Sequence, residues 1–106
     1  MPTFDDRKKS FEEKFAHDKE FEFKVMARRN KILGLWAAEQ LGLDDEEAGA
    51  YARAVIESDF EEPGDEDVFA KVWRDFQANS VDQSEHQLRQ QMSDLLEEAK
   101  SQLYQE

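Results

Sequence analysis

Apolar residues recur along this chain at intervals of three and four, the repeat of one face of an α-helix. Phe21, Val25, Ile32 and Trp36 share one stripe, with Met26, Leu33 and Ala37 beside it and Leu35 widening the face at its flank. The pattern predicts a first helix over about 20–41, closed by Gly42 just past its C-cap. Ala48, Tyr51, Ala52, Val55, Ile56 and Phe60 predict a second over about 44–60, with Asp44 as N-cap and Glu47 in the capping-box position. Glu61-Glu62-Pro63-Gly64 breaks the repeat, because Pro63 disfavours helical geometry in the residue before it. A third helix follows over about 65–78, with Val68, Phe69, Val72, Trp73 and Phe76 inward. Ser80 as N-cap and Gln83 in the capping-box position open a fourth over about 81–104. Its stripe is Leu88, Met92, Leu95, Leu96, Ala99 and Leu103, with Tyr104 near the end. Connections this short lay consecutive helices antiparallel, so the expected fold is an all-α four-helix bundle spanning residues 20–106. Trp36, Phe60, Phe69, Trp73 and Phe76 are its large fillers, each contributing roughly 1.5–3 kcal/mol if fully buried.

Composition narrows the classes of function. A chain of 106 residues has room for one domain with one modest core, and four glycines among them leave little for the turns of an all-β fold. The absence of cysteine excludes disulfides, thiol catalysis and thiolate metal sites. No apolar run approaches the roughly 20 residues of a membrane span. Met1-Pro2-Thr3-Phe4-Asp5-Asp6 lacks the basic start and apolar stretch of a signal peptide, so a soluble, cytoplasmic protein is expected. The net charge of −12 is unevenly held: residues 1–41 carry nine basic and eight acidic side chains, residues 42–106 five and eighteen. Direct binding to nucleic acid or to an anionic membrane is therefore unfavourable, and a protein with a cationic surface is the better-matched partner.

The near-neutral front is the unusual part. Phe4, Phe11 and Phe15 stand at i, i+7 and i+11, on one helical face, within a segment whose residues 5–19 include ten charged side chains. Lys8 lies between them, so the stripe is thin, and an isolated helix of this length is marginal in water. Two readings stay open from the pattern alone. Residues 1–19 are a mobile, partly helical segment whose stripe a partner buries, or they are the first turns of a long first helix packed on the bundle.

Candidate chemistry is sparse. His17 and His86, the only imidazoles, stand 69 positions apart without metal-ligand spacing and read as surface residues. The serines occupy cap or polar-face positions and pair with no evident base, so no enzyme is expected. Asp59, Glu61, Glu62, Asp65, Glu66 and Asp67 surround Pro63-Gly64 but lack the ligand order of a calcium loop, and read as a solvated corner. Arg28, Arg29, Asn30 and Lys31 form a basic run placed on the polar side of the first helix. Their expected role is pairing with the acidic helices; guanidinium forks also suit a phosphate-bearing ligand, which makes Arg28, Arg29 and Lys31 the candidate nucleotide site.

Whole stretches resemble a known family. Thr3-Phe4-Asp5-Asp6-Arg7, Phe15-Ala16-His17-Asp18, Ala27-Arg28-Arg29-Asn30-Lys31 and Leu33-Gly34-Leu35-Trp36-Ala37-Ala38-Glu39 look like the zeta subunits, small inhibitors of the alphaproteobacterial rotary ATP synthase. Asp59-Phe60-Glu61-Glu62, Gly64-Asp65-Glu66-Asp67-Val68-Phe69 and Glu85-His86-Gln87 through Asp94-Leu95-Leu96 agree more weakly. The resemblance implies a bundle, monomeric when free, with a mobile inhibitory region at its front. That region would insert between the alpha and beta subunits of the catalytic head beside gamma and block rotation in the hydrolysis direction. Phe4, Phe11 and Phe15 would then enter an apolar crevice, with Asp5, Asp6, Arg7, Glu12, Glu13 and Lys14 pairing at its rim. It also implies purine-nucleotide binding (ATP or ADP) by the bundle, with no other cofactor, and peripheral association with the inner membrane through the synthase.

Overall fold

The computed structural model describes residues 19–59 and 65–105, and within them the fold is the expected four-helix bundle. Helix α1 spans Lys19–Gln40, α2 Asp45–Ser58, α3 Glu66–Ala78 and α4 Glu85–Gln105. The readings of residues 1–18, of the core filler Phe60 and of the corner residues Glu61 to Gly64 lie outside the described residues.

The caps explain where the helices stop. At the end of α1, Gly42 has φ +75°, a left-handed conformation that costs glycine no Cβ clash. The Gly42 amide donates to the Glu39 carbonyl at 3.1 Å and the Leu43 amide to the Ala38 carbonyl at 3.0 Å, the paired bonds of a Schellman motif. Asp44 then caps α2, its Oδ1 accepting from the Glu47 amide at 2.8 Å. The Glu47 side chain turns back toward Asp44, and hydrogen bonding between the two holds the Asp44 carboxyl below its usual range and Glu47 above it.

The start of α4 departs from the expectation. Ser80 is not its N-cap. Ser80 has φ +54° and ends α3: the Val81 amide reaches the Phe76 carbonyl at 2.9 Å and the Ser80 amide the Gln77 carbonyl at 3.4 Å. This is a second Schellman closure, with a residue in the left-handed region where glycine would be unstrained. The capping box lies four residues later. The Gln87 amide donates to Ser84 Oγ at 3.1 Å, and the Ser84 amide donates to Gln87 Oε1 at 2.8 Å. Val81, the residue after the turn, packs against the core, which favours closure at Ser80 over an earlier start of α4.

Helix α1 is the centre of the bundle, packing most extensively on α2 and α4. Gln83 donates to Gln40 at 3.4 Å while Arg28 donates to Gln102 at 2.9 Å, so α4 runs antiparallel to α1. Tyr51 of α2 donates to Asp75 of α3 at 2.8 Å, and Lys71 reaches the same carboxylate at 2.9 Å while lying over the Tyr51 ring. Burial and the Asp75 charge push the Tyr51 phenol well above its ordinary range, so it remains a donor here.

The core comprises Leu33, Ala37, Val55, Val68, Phe69, Val72, Phe76, Leu88 and Met92. Trp36 packs edge-on against Phe76 at 5.7 Å and Trp73 stacks on Phe69 at 6.2 Å, both half-buried at the rim. The buried line of α1 is shifted from the expected stripe. It runs through Val25, Arg29, Leu33 and Ala37 and through Asn30, Gly34 and Ala38, while Met26, Ile32 and Trp36 are half-buried at its edge. Leu35 does not widen the buried face: it is 40% exposed. Small residues set this line, because α2 approaches so closely that a Cβ on Gly34 would lie 2.5 Å from the Ala52 Cα.

Candidate functional site

Successive residues of an α-helix point about 100° apart, so a run of four cannot form one patch. The run Arg28 to Lys31 is accordingly dispersed, and its placement on the polar side of α1 is overturned at Arg29 and Asn30, both 1% exposed. Arg29 Nε donates to Asn30 Oδ1 at 2.8 Å, and Arg29 Nη2 donates to Asp65 Oδ1 at 2.6 Å, with Nη1 approaching Oδ2 at 3.5 Å. Asp65 occupies the N-cap position of α3 but makes no side-chain cap there; its carboxylate serves Arg29 instead. The expected pairing of the run with acidic residues is realised at Arg29, and it happens inside the fold.

Asp59 and Asp67 share the corner. Burial pushes the Asp59 carboxyl above its usual range, opposed by Arg29 and by a hydrogen bond from Asn30, and reinforced by Asp65 and Asp67. Arg29 is thus the buried counter-ion of a small acidic group. The described residues include no cluster of His, Cys, Asp or Glu arranged to hold a metal. Nearby, Arg89 forms a fork with Glu66 at 3.1 Å to each oxygen and lies 3.9 Å from the Phe69 ring centre. The hydrogen bond from Arg89 holds the exposed Glu66 carboxyl below its usual range.

Arg28 and Lys31 take a different direction. With Lys24 they border an open groove whose apolar walls are Phe23, Ala27, Ile56 and Leu103, with a volume of about 400 Å³. Arg28 also donates to Gln102 on α4. Two of the three candidate nucleotide residues therefore meet in one groove, and Arg29 does not join them. Sequence reasoning missed Asn30, Asp65 and Gln102 as partners, since each contact joins positions 36 or 74 apart, or adjacent residues, with no local periodicity to mark it. Phe4, Asp5, Asp6, Arg7, Phe11, Glu12, Lys14 and Phe15 fall outside the described residues, as does His17. His86 is exposed near the start of α4.

Among the described residues no helix is long and apolar enough to cross a membrane. No protein of curated function matches the sequence. A chain solved by solution NMR is similar at 46% identity and a TM-score of 0.70, over 77% of this chain and 93% of that one. The model of one family, described as ATPase inhibitor subunit zeta, matches residues 1–102. By that match, which takes in α1 to α3, most of α4 and the aromatic front, this chain belongs to the ATPase inhibitor subunit zeta family.

Proposed function

We propose that this protein restrains ATP hydrolysis by the rotary ATP synthase through residues 1–19, which insert between the alpha and beta subunits of the catalytic head beside gamma. The observation that carries the reading is that the family match begins at residue 1 and so includes the aromatic front. In this reading Phe4, Phe11 and Phe15 are the anchors, and Asp5, Asp6, Arg7, Glu12 and Lys14 orient them at the rim of the crevice. Ordering the segment on binding costs conformational entropy, so affinity depends on those few anchors. The bundle acts as the folded body that carries them, and its role is regulatory rather than catalytic.

The test is ATP hydrolysis by a purified alphaproteobacterial ATP synthase. The full chain is expected to inhibit, and a chain beginning at residue 20 is not. A variant with Phe4, Phe11 and Phe15 changed to alanine should lose inhibition with its thermal unfolding nearly unchanged. Equal inhibition by the truncated chain, or none by the full one, defeats the proposal.

One observation favours a second reading, purine-nucleotide binding: Arg28, Lys31 and Lys24 edge a groove walled by Phe23, Ile56 and Leu103. A base resting on the apolar wall would leave its phosphates toward these cations. Titration with ATP should shift the amide resonances of Lys24, Ala27 and Lys31, and Lys31→Ala should weaken the response. Shifts confined to other parts of the bundle, or none, would remove this reading.

A further inference from the structure

We infer that the groove between α2 and α3 is a binding site for a long zwitterion, with a carboxylate at one end, a guanidinium or ammonium at the other and an apolar stem between. A basic amino acid has this chemistry, and so does a peptide whose last residue is basic. The inference is independent of the inhibitory reading and of the nucleotide groove, whose walls come from α1, α2 and α4.

The groove has a volume of about 400 Å³, and it is lined by Ala54 and Glu57 of α2 and by Asp67, Ala70, Lys71 and Arg74 of α3. On α3 these positions stand at i, i+3, i+4 and i+7 and so share one face. The bond from Tyr51, early in α2, to Asp75, late in α3, sets the two helices antiparallel. Counting along the pair from that bond, Glu57 falls toward the Asp67 end of the groove and Ala54 near its middle. The groove is therefore acidic at one end and basic at the other, with two alanine methyls between.

Three of these charges are uncommitted. Among the described residues, the side chains of Glu57, Asp67 and Arg74 form no hydrogen bond or ion pair. Lys71 is anchored instead, 2.9 Å from Asp75 and lying over the Tyr51 ring. Asp67 and Arg74 are seven residues apart, about 10 Å along the helix at 1.5 Å per residue, and do not pair. A simple anion at Arg74 would lie in a groove that also holds two carboxylates, and a simple cation would share it with Lys71 and Arg74. A ligand charged oppositely at its two ends meets both groups, and its stem covers Ala54 and Ala70. Ser58 also borders the groove; its Oγ donates to the Val55 carbonyl at 2.6 Å, which leaves its lone pairs for a cationic donor.

The test is a titration of the isotope-labelled full chain with L-arginine at constant ionic strength. Amides of Ala54, Glu57, Ala70 and Arg74 are expected to shift together and saturate, with a dissociation constant of roughly 1–10 mM, as suits two solvent-exposed ion pairs. Agmatine lacks the carboxylate and norvaline lacks the guanidinium, so each should bind about fivefold more weakly or worse. Arg74→Gln should weaken arginine by a similar factor, and Arg74→Lys by less. Ala70→Leu should fill the groove and abolish the response; both positions are exposed, so neither change threatens the fold. A tripeptide acetylated at its amino end and ending in arginine separates the two sources. Binding tighter than that of free arginine, and lost on amidation of the carboxyl, assigns the site to a chain end; weaker binding assigns it to the free amino acid. Shifts that never saturate, that persist unchanged in Ala70→Leu, or that agmatine reproduces at equal concentration would overturn the inference.

Discussion

Arg29→Met is expected to destabilise the bundle by about 3 kcal/mol, measured by chemical denaturation at neutral pH. Methionine restores most of the volume, so the loss is chiefly that of the charge. Without the guanidinium, buried Asn30 loses the donor to its Oδ1, and Asp59, Asp65 and Asp67 lose their buried counter-ion. The figure is set at the low end for a broken buried pair because the Asp65 side chain is 43% exposed and can recover water. Against the 5–15 kcal/mol typical of a whole domain this is a large share. The loss should also depend on pH. Asp59 is held above its ordinary value in the folded state, chiefly by burial, and removing Arg29 raises it further. A carboxyl raised on folding favours the folded state at low pH, and that contribution is lost as pH rises through its folded pKa. The gap between variant and unaltered protein should therefore narrow as the pH is lowered and the Asp59 carboxyl takes up its proton. Arg29→Lys should rescue little, because an ammonium is a single point and cannot meet Asn30 and Asp65 together. A loss below 1 kcal/mol at neutral pH, or one independent of pH, would show that the corner does not need its cation.

Gly34→Ala is expected to cost about 2–3 kcal/mol, although alanine is the better helix former by about 1 kcal/mol. The added methyl would stand 2.5 Å from the Ala52 Cα, 3.0 Å from its Cβ and 3.4 Å from its carbonyl carbon. Only the second of these is side chain. Ala52→Gly should therefore fail to rescue the variant, since the nearest obstacle is the backbone of α2 itself. Relief requires α1 and α2 to separate, which loosens Leu33, Ala37 and Val55 together. Thermal unfolding of the single and double variants checks this; a Gly34→Ala chain as stable as the parent would mean that the helices separate at little cost.

These two residues also show where the sequence stops being informative. The existence and approximate bounds of four helices follow from the spacing of apolar residues, and Asp44 and Gly42 announce the α1–α2 corner through their own chemistry. Arg29 gives no such signal. In a run of Arg, Arg, Asn and Lys nothing local marks the one guanidinium that turns inward, because its partner is 36 positions away. The buried line of α1 was misplaced for a related reason. Large residues dominate a hydrophobic pattern, yet the small residues Gly34, Ala37 and Ala38 lie on the buried line, leaving Ile32 and Trp36 to flank it. At the start of α4 the sequence offers Ser80-Val81-Asp82-Gln83 and then Ser84-Glu85-His86-Gln87, two capping boxes of the same form. Only tertiary packing of Val81 decides between them. The groove shared by Arg28 and Lys31 was half legible: the cations were visible, but Ile56 and Leu103, which complete its wall, come from two other helices.

The central place of α1 has a mechanical consequence. A load applied at its amino end travels along its own axis, between α2 on one flank and α4 on the other. To yield, the helix must slide past both neighbours at once, with Arg29 torn from Asp65 and Gly34 dragged across Ala52 in the same movement. The same force on an outer helix could peel its contacts apart one after another. A force along the axis of α1 would thus meet the bundle in shear, the direction in which it gives way least.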